Sequence, residues 1–144
     1  MRGGFRGPIY ATRGTIDLCS YMLPDSGSIQ ESEVAALNRR SAARGRGAVT
    51  PIYTQADAVA AMTSFRAVAY ETWEPVMAGV RARYWNAGHL LGSASIEIEF
   101  ADEGKDGKPL RVLLSGDIGP DAKLLETSAE APTACRSSPR TAGM

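Results

Sequence analysis

The segment 93–115 reads as two strands joined by a reversal, and this pattern constrains the fold more than any other stretch of the chain. Residues 93–100 alternate, with Ile96, Ile98 and Phe100 on one face and Glu97 and Glu99 on the other. Residues 101–109 are rich in Gly, Asp and Lys and form the reversal, and 110–115 is a second apolar run heading back. A hairpin returns to its starting end, so the residues before its first strand meet those after its second. Here those flanks carry His89, in Ala87-Gly88-His89-Leu90-Leu91-Gly92-Ser93-Ala94, and Asp117, in Ser115-Gly116-Asp117. A histidine and an aspartate at the open end of a hairpin suit part of a metal site. They can be only part, because His89 is the single histidine in the chain.

The 144 residues, 44% of them hydrophobic, are enough for one ordinary domain with a core. No apolar run approaches the roughly 20 residues that span a bilayer, so no membrane partner is expected. Arg2 and Arg6 are followed by Gly7-Pro8 and not by an apolar stretch, which is unlike a signal peptide. Sixteen basic and sixteen acidic residues cancel, so net charge does not point to nucleic acid. Arg39, Arg40, Arg44 and Arg46 form a basic cluster that composition alone reads as a solvated helix end. Cys19 and Cys135 make neither a metal-ligand spacing nor a disulfide framework, and the expected compartment is the reducing cytoplasm.

Along the chain, 8–12 is a short strand, and Thr12 or Thr15 then caps a helix to about Leu23, stopped by Pro24. Asp25 and Ser26 fall in the loop after it. Ser28 with Glu31 has capping-box spacing for a second helix, 29–44, ended by Gly45 and Gly47. Thr54 caps a third helix over 55–62, with Asp57 near its positive end. Segments 65–70 and 80–85 read as strands separated by 71–79. The order is a mixed α/β pattern. After Leu125 the chain has no aromatic residue and no valine, leucine or isoleucine, so 126–144 is expected to be a disordered tail.

Four pieces occur in order: Gly7-Pro8-Ile9-Tyr10-Ala11-Thr12, Leu23-Pro24-Asp25-Ser26-Gly27, Ala87-Gly88-His89-Leu90-Leu91-Gly92-Ser93-Ala94 and Ser115-Gly116-Asp117-Ile118-Gly119. Together they resemble the metallo-β-lactamase-fold RNA-processing nucleases of the β-CASP group, which include the cleavage-and-polyadenylation endonuclease and its bacterial relatives. The resemblance implies an αββα sandwich holding two zinc ions and acting on RNA. By this match His89 takes the place of a zinc-ligating histidine, and Asp117 that of an aspartate bridging both ions. A neutral imidazole suits borderline Zn²⁺, and a carboxylate can span two cations.

The family's first metal-binding motif, His-x-His-x-Asp-His, would lie before Gly4, and its β-CASP insert and final ligand histidine after Leu125; neither pattern is in this sequence. The expectation is therefore a partial metallo-β-lactamase-fold domain over 1–125, lacking the N-terminal half and the insert. Residues 133–144 read like the product of a shifted reading frame. Such a chain should be inactive alone and hold zinc weakly, and a second copy or a complementing subunit is a candidate partner. Gly88 and Gly92 should give the backbone room around the histidine. Ser115 is a weaker candidate for a hydrogen bond behind the ligands, and Asp25 and Ser26 are loop residues for which a plain turn is favoured over a catalytic role. Tyr53, Trp73, Tyr84 and Trp85 could stack on bases but are favoured as core. A hydrolase acting on a small thioester, lactam or sulfate ester is the alternative on the same sandwich, and a non-catalytic interaction piece is the third reading. Because a sandwich needs two inner faces, marginal stability and exposed apolar surface are expected.

Overall fold

The structure, a computed structural model, describes residues 4–101, 104, 107–120 and 128–132. It is α/β, with the elements β1 (Ile9–Thr12), α1 (Arg13–Ala42), α2 (Gln55–Ala61), a 3-10 turn (Met62–Ser64), β2 (Phe65–Val68), β3 (Trp73–Met77), β4 (Val80–Asn86), β5 (Ala94–Phe100) and β6 (Leu110–Leu114). These fall into two compact units, one of Met1–Ala11 with Thr15–Ala67, the other of Thr12–Gly14 with Val68–Met144. The expected tail 126–144 lies outside the described residues except for 128–132.

In the first unit Pro24 does not end its helix. The two expected helices are one, α1, with Pro24 inside it. Proline removes one backbone donor and ordinarily breaks a helix. Here contacts beyond the proline hold the helix on. Gly27 is buried against the backbone entering α2, where an added Cβ would come within 2.7 Å of the Gln55 nitrogen. One turn later Glu31 accepts a hydrogen bond from the Gln55 N–H at 3.0 Å. Ser28 is therefore interior and starts no helix, while Glu31 satisfies a donor at the start of α2. The α2 cap is as expected, with Thr54 and Asp57 exchanging bonds as a capping box. The last turn of α1 carries Arg39 and Arg40, cations placed favourably at a helix C-terminus.

The second unit is an antiparallel sheet of order β3-β4-β5-β6. The hairpin read from the sequence is β5–β6, with Ile96 opposite Leu114 and Phe100 opposite Leu110. The segment 71–79, read as a connection, contains β3 instead. Pro75 hides that strand in the sequence, and the sheet tolerates it because β3 is the edge.

The faces of this sheet carry an unusual distribution of cover. Tyr84, Ile96 and Leu114 are cross-strand partners on one face, as are Ala82, Ile98 and Val112. This apolar face is partly open: Leu110, Val112 and Leu114 are 42, 38 and 53% exposed. On the opposite face Arg81, Glu99 and Arg111 form one row, with Arg83 and Glu97 in the next. The guanidiniums of Arg81 and Arg83 lie 4.5 and 4.4 Å from the Trp73 ring centroid. Glu97 and Glu99 are buried beneath this lattice. Among the described residues every buried side-chain nitrogen and oxygen has a hydrogen-bond partner, which is how two carboxylates can be covered without prohibitive cost.

Candidate metal centre

The hairpin brings its flanking residues together. His89 Nε2 stands 3.9 Å from an Asp117 carboxylate oxygen, with the imidazole 43% and the carboxylate 88% exposed. At 3.9 Å this is an ion-pair distance and not a hydrogen bond.

Three local devices produce the juxtaposition. The first is the turn 87–93 after β4. Its Ser93 N–H donates to the Leu90 carbonyl at 2.9 Å, and the Ala87 N–H donates to the Ser93 carbonyl at 3.2 Å. The Ser93 hydroxyl accepts from the amides of His89 and Leu90, both at 3.1 Å. Gly88 and Gly92 have φ of 61° and 85°, the left-handed region that favours glycine. The second is the exit from β6. The Ser95 hydroxyl donates to the Ser115 carbonyl at 2.8 Å, and Gly116 turns the chain with φ 59°. The third is Gly119, whose N–H donates to the Ala87 carbonyl at 2.9 Å. A side chain at Gly119 would run into the Gly88 carbonyl, so only glycine lets the Asp117 segment lie against the histidine turn.

Ser115 thus contributes a backbone carbonyl, held by Ser95. Asp25 and Ser26 lie inside α1 in the first unit and not in a loop, because the helix continues through Pro24. Tyr84 and Trp85 are buried, in line with a core role, while Trp73 and Tyr53 are half-buried.

Several residues that the sequence reading did not assign to the site also contribute. The Thr12 hydroxyl donates to the Gly92 carbonyl at 2.6 Å, and the Tyr70 hydroxyl to the Ser93 carbonyl at 3.0 Å. The Asn86 side chain accepts from the Gly88 N–H at 2.9 Å. Burial pushes the Tyr70 phenol above its ordinary value, a hydrogen bond with Thr12 opposes this, and the Glu130 charge adds to the rise. An open cleft of about 560 Å³ runs beside the turn, lined among others by Thr12, Arg13, Val68, Tyr70, Leu90 and Leu91. Thr12, Ser93 and Gly119 lie in the family-like sequence pieces, although nothing in the sequence says what their groups touch. Tyr70 carries no sequence signal.

The donor types fit a metal only in part. Two ligands on one tetrahedral zinc sit about 3.3 Å apart, so the pair needs a small adjustment, which its exposure permits. Among the described residues no group of three or more His, Cys, Asp and Glu is placed to hold an ion. Among the same residues no helix is long and apolar enough to cross a membrane.

No protein-family model matches the chain. Over 70 residues it is 34% identical to an RNase J-like protein of Methanocaldococcus jannaschii, a stretch covering 49% of this chain and 15% of that protein.

Proposed function

We propose that this chain is part of a zinc-dependent RNA nuclease that hydrolyses phosphodiesters, with His89 and Asp117 as two of the metal ligands. The observation that carries the reading is their meeting at the open end of the β5–β6 hairpin. The 34% identity to an RNase J-like protein supports the RNA-acting lineage over a small-molecule hydrolase. Two zinc ions would supply a water of lowered pKa and stabilise charge on the phosphodiester oxygens. His89 offers one imidazole nitrogen and Asp117 two carboxylate oxygens. Both face solvent, so the pair alone binds weakly and the remaining ligands come from outside the described residues. The open apolar face of β4–β6 supports a second layer over this sheet, as in an αββα sandwich, supplied by a further segment, a complementing subunit or a second copy.

Because His89 is the single histidine, its imidazole gives an unambiguous NMR signal. Adding Zn²⁺ to the chain should shift that signal with weak affinity, and Asp117→Asn should weaken the response by removing a charged ligand. RNA incubated with the chain alone should stay intact. A His89 signal indifferent to Zn²⁺ would remove the metal reading. Purification with about two zinc ions per chain would instead mean that the ligand set is complete.

A further inference from the structure

The hydroxyls of Thr12 and Tyr70 reach consecutive carbonyls of the turn that carries His89. Thr12 is buried, at the junction of β1 and α1, and donates to the Gly92 carbonyl at 2.6 Å. Tyr70, just beyond β2, donates to the next carbonyl, that of Ser93, at 3.0 Å. Gly14 closes the same contact without a side chain, since an added Cβ would stand 3.1 Å from the Gly92 nitrogen and Cα. Ser93 in turn uses its own hydroxyl to accept from the His89 and Leu90 amides. The chain of contacts thus runs from two hydroxyls, through two carbonyls, to the backbone of the histidine.

We propose that Thr12 and Tyr70 are positioning residues for His89, a pair of hydroxyls that clamps the 87–93 turn and fixes the histidine relative to Asp117. This gives Thr12, the last residue of the Gly7–Thr12 sequence piece and of β1, a role across the chain at the Gly92 carbonyl. The role of the clamp in metal binding rests on the proposed function; its control of the turn does not. At both positions the contact with the turn is made by a hydroxyl. Valine at position 12 keeps the shape and loses the donor, whereas serine keeps the donor and loses a methyl.

The test compares the unmodified chain with Thr12→Val, Thr12→Ser and Tyr70→Phe, by amide hydrogen exchange at His89 and Leu90 and by Zn²⁺ titration of the His89 imidazole signal. Thr12→Val and Tyr70→Phe should each speed exchange at those two amides about fivefold to tenfold. Each should also weaken the Zn²⁺ response about tenfold. Thr12→Ser should stay within about twofold of the unmodified chain in both measurements. If Thr12→Val leaves both amides and the zinc response unchanged, or Thr12→Ser fails as Thr12→Val does, the clamp is overturned. If Thr12→Val does not fold, Tyr70→Phe decides by the same criteria. Should the unmodified chain ignore zinc while the variants speed amide exchange by these factors, the metal reading falls and the clamp stands.

Discussion

The indole N–H of Trp85 donates to a Glu97 oxygen at 3.0 Å, and Arg83 places its Nη2 on the same oxygen at 2.8 Å. Glu97 is 3% exposed. Removing this carboxylate would leave a guanidinium and an indole N–H under cover without their acceptor. Glu97→Ala should therefore cost about 3 kcal/mol, read from denaturant unfolding. Arg81→Met should cost less, about 1 kcal/mol, because the Arg81 side chain is 47% exposed and Arg111 Nε still holds the buried Glu99 carboxylate at 2.8 Å. A Glu97→Ala loss as small as that of Arg81→Met would mean that the Trp73–Arg–Glu lattice adds little to stability.

The same lattice sets an acid limit. The Arg81 hydrogen bond to Glu99 holds that carboxyl below the ordinary 4.5; burial opposes this, and the Arg111 hydrogen bond and the charges of both arginines assist. A carboxyl with a lowered folded pKa contributes stability that is present above its unfolded value and lost as pH falls through the folded one. Unfolding midpoints should accordingly be steady from neutrality to about pH 5 and drop below pH 4.5, with Glu99→Gln flattening part of that slope. An unchanged slope in Glu99→Gln would assign the acid loss to other groups.

Tyr70 sets the opposite limit. Its phenol is raised above 10.0 by burial, with Thr12 opposing and Glu130 adding to the rise. A raised folded pKa means that the folded state holds the proton more tightly, so stability is full below the unfolded value and declines as pH rises through the folded one. Loss of the proton also removes the donor to the Ser93 carbonyl. Melting temperature should fall above about pH 10, and Tyr70→Phe should start lower yet decline less. Parallel curves for the two proteins would separate Tyr70 from the alkaline loss.

Helix α1 marks where the sequence was legible and where it was not. Local chemistry sufficed for the Thr54 cap of α2 and for the β5–β6 hairpin, since a cap and a two-residue alternation are specified within a few residues. It placed His89 beside Asp117 for the same reason. It failed at Pro24 and Pro75, where a contact from another element or an edge position overrides the local rule. It also missed Tyr70, whose hydroxyl meets a carbonyl 23 residues away. Substitutions at Gly27 and at Pro24 should act in opposite directions. Gly27→Ala pushes a methyl into the Thr54–Gln55 backbone and should cost about 1–3 kcal/mol. Pro24→Ala restores a backbone donor and should stabilise by up to about 3 kcal/mol. Thermal unfolding followed by helical circular dichroism separates them, and a destabilised Pro24→Ala would show that the proline is needed where it stands.

The apolar face of the β3–β6 sheet is only partly covered. Tyr84 and Ala82 on β4 are buried, but the cover fails toward β6, where Leu110, Val112 and Leu114 remain open. Water against a contiguous aliphatic surface is unfavourable by about 25 cal/mol per Å², so a surface of this kind recruits whatever apolar group is at hand. The chain should bind a hydrophobic dye at neutral pH and self-associate as concentration rises, so that its melting temperature depends on concentration. Val112→Lys with Leu114→Lys should abolish both behaviours while leaving the Glu97 lattice on the opposite face intact. Dye fluorescence and sedimentation velocity measure the two effects. A monomer that melts cooperatively and ignores the dye would mean that this face is already covered, and with it would go the case for a second layer over the sheet.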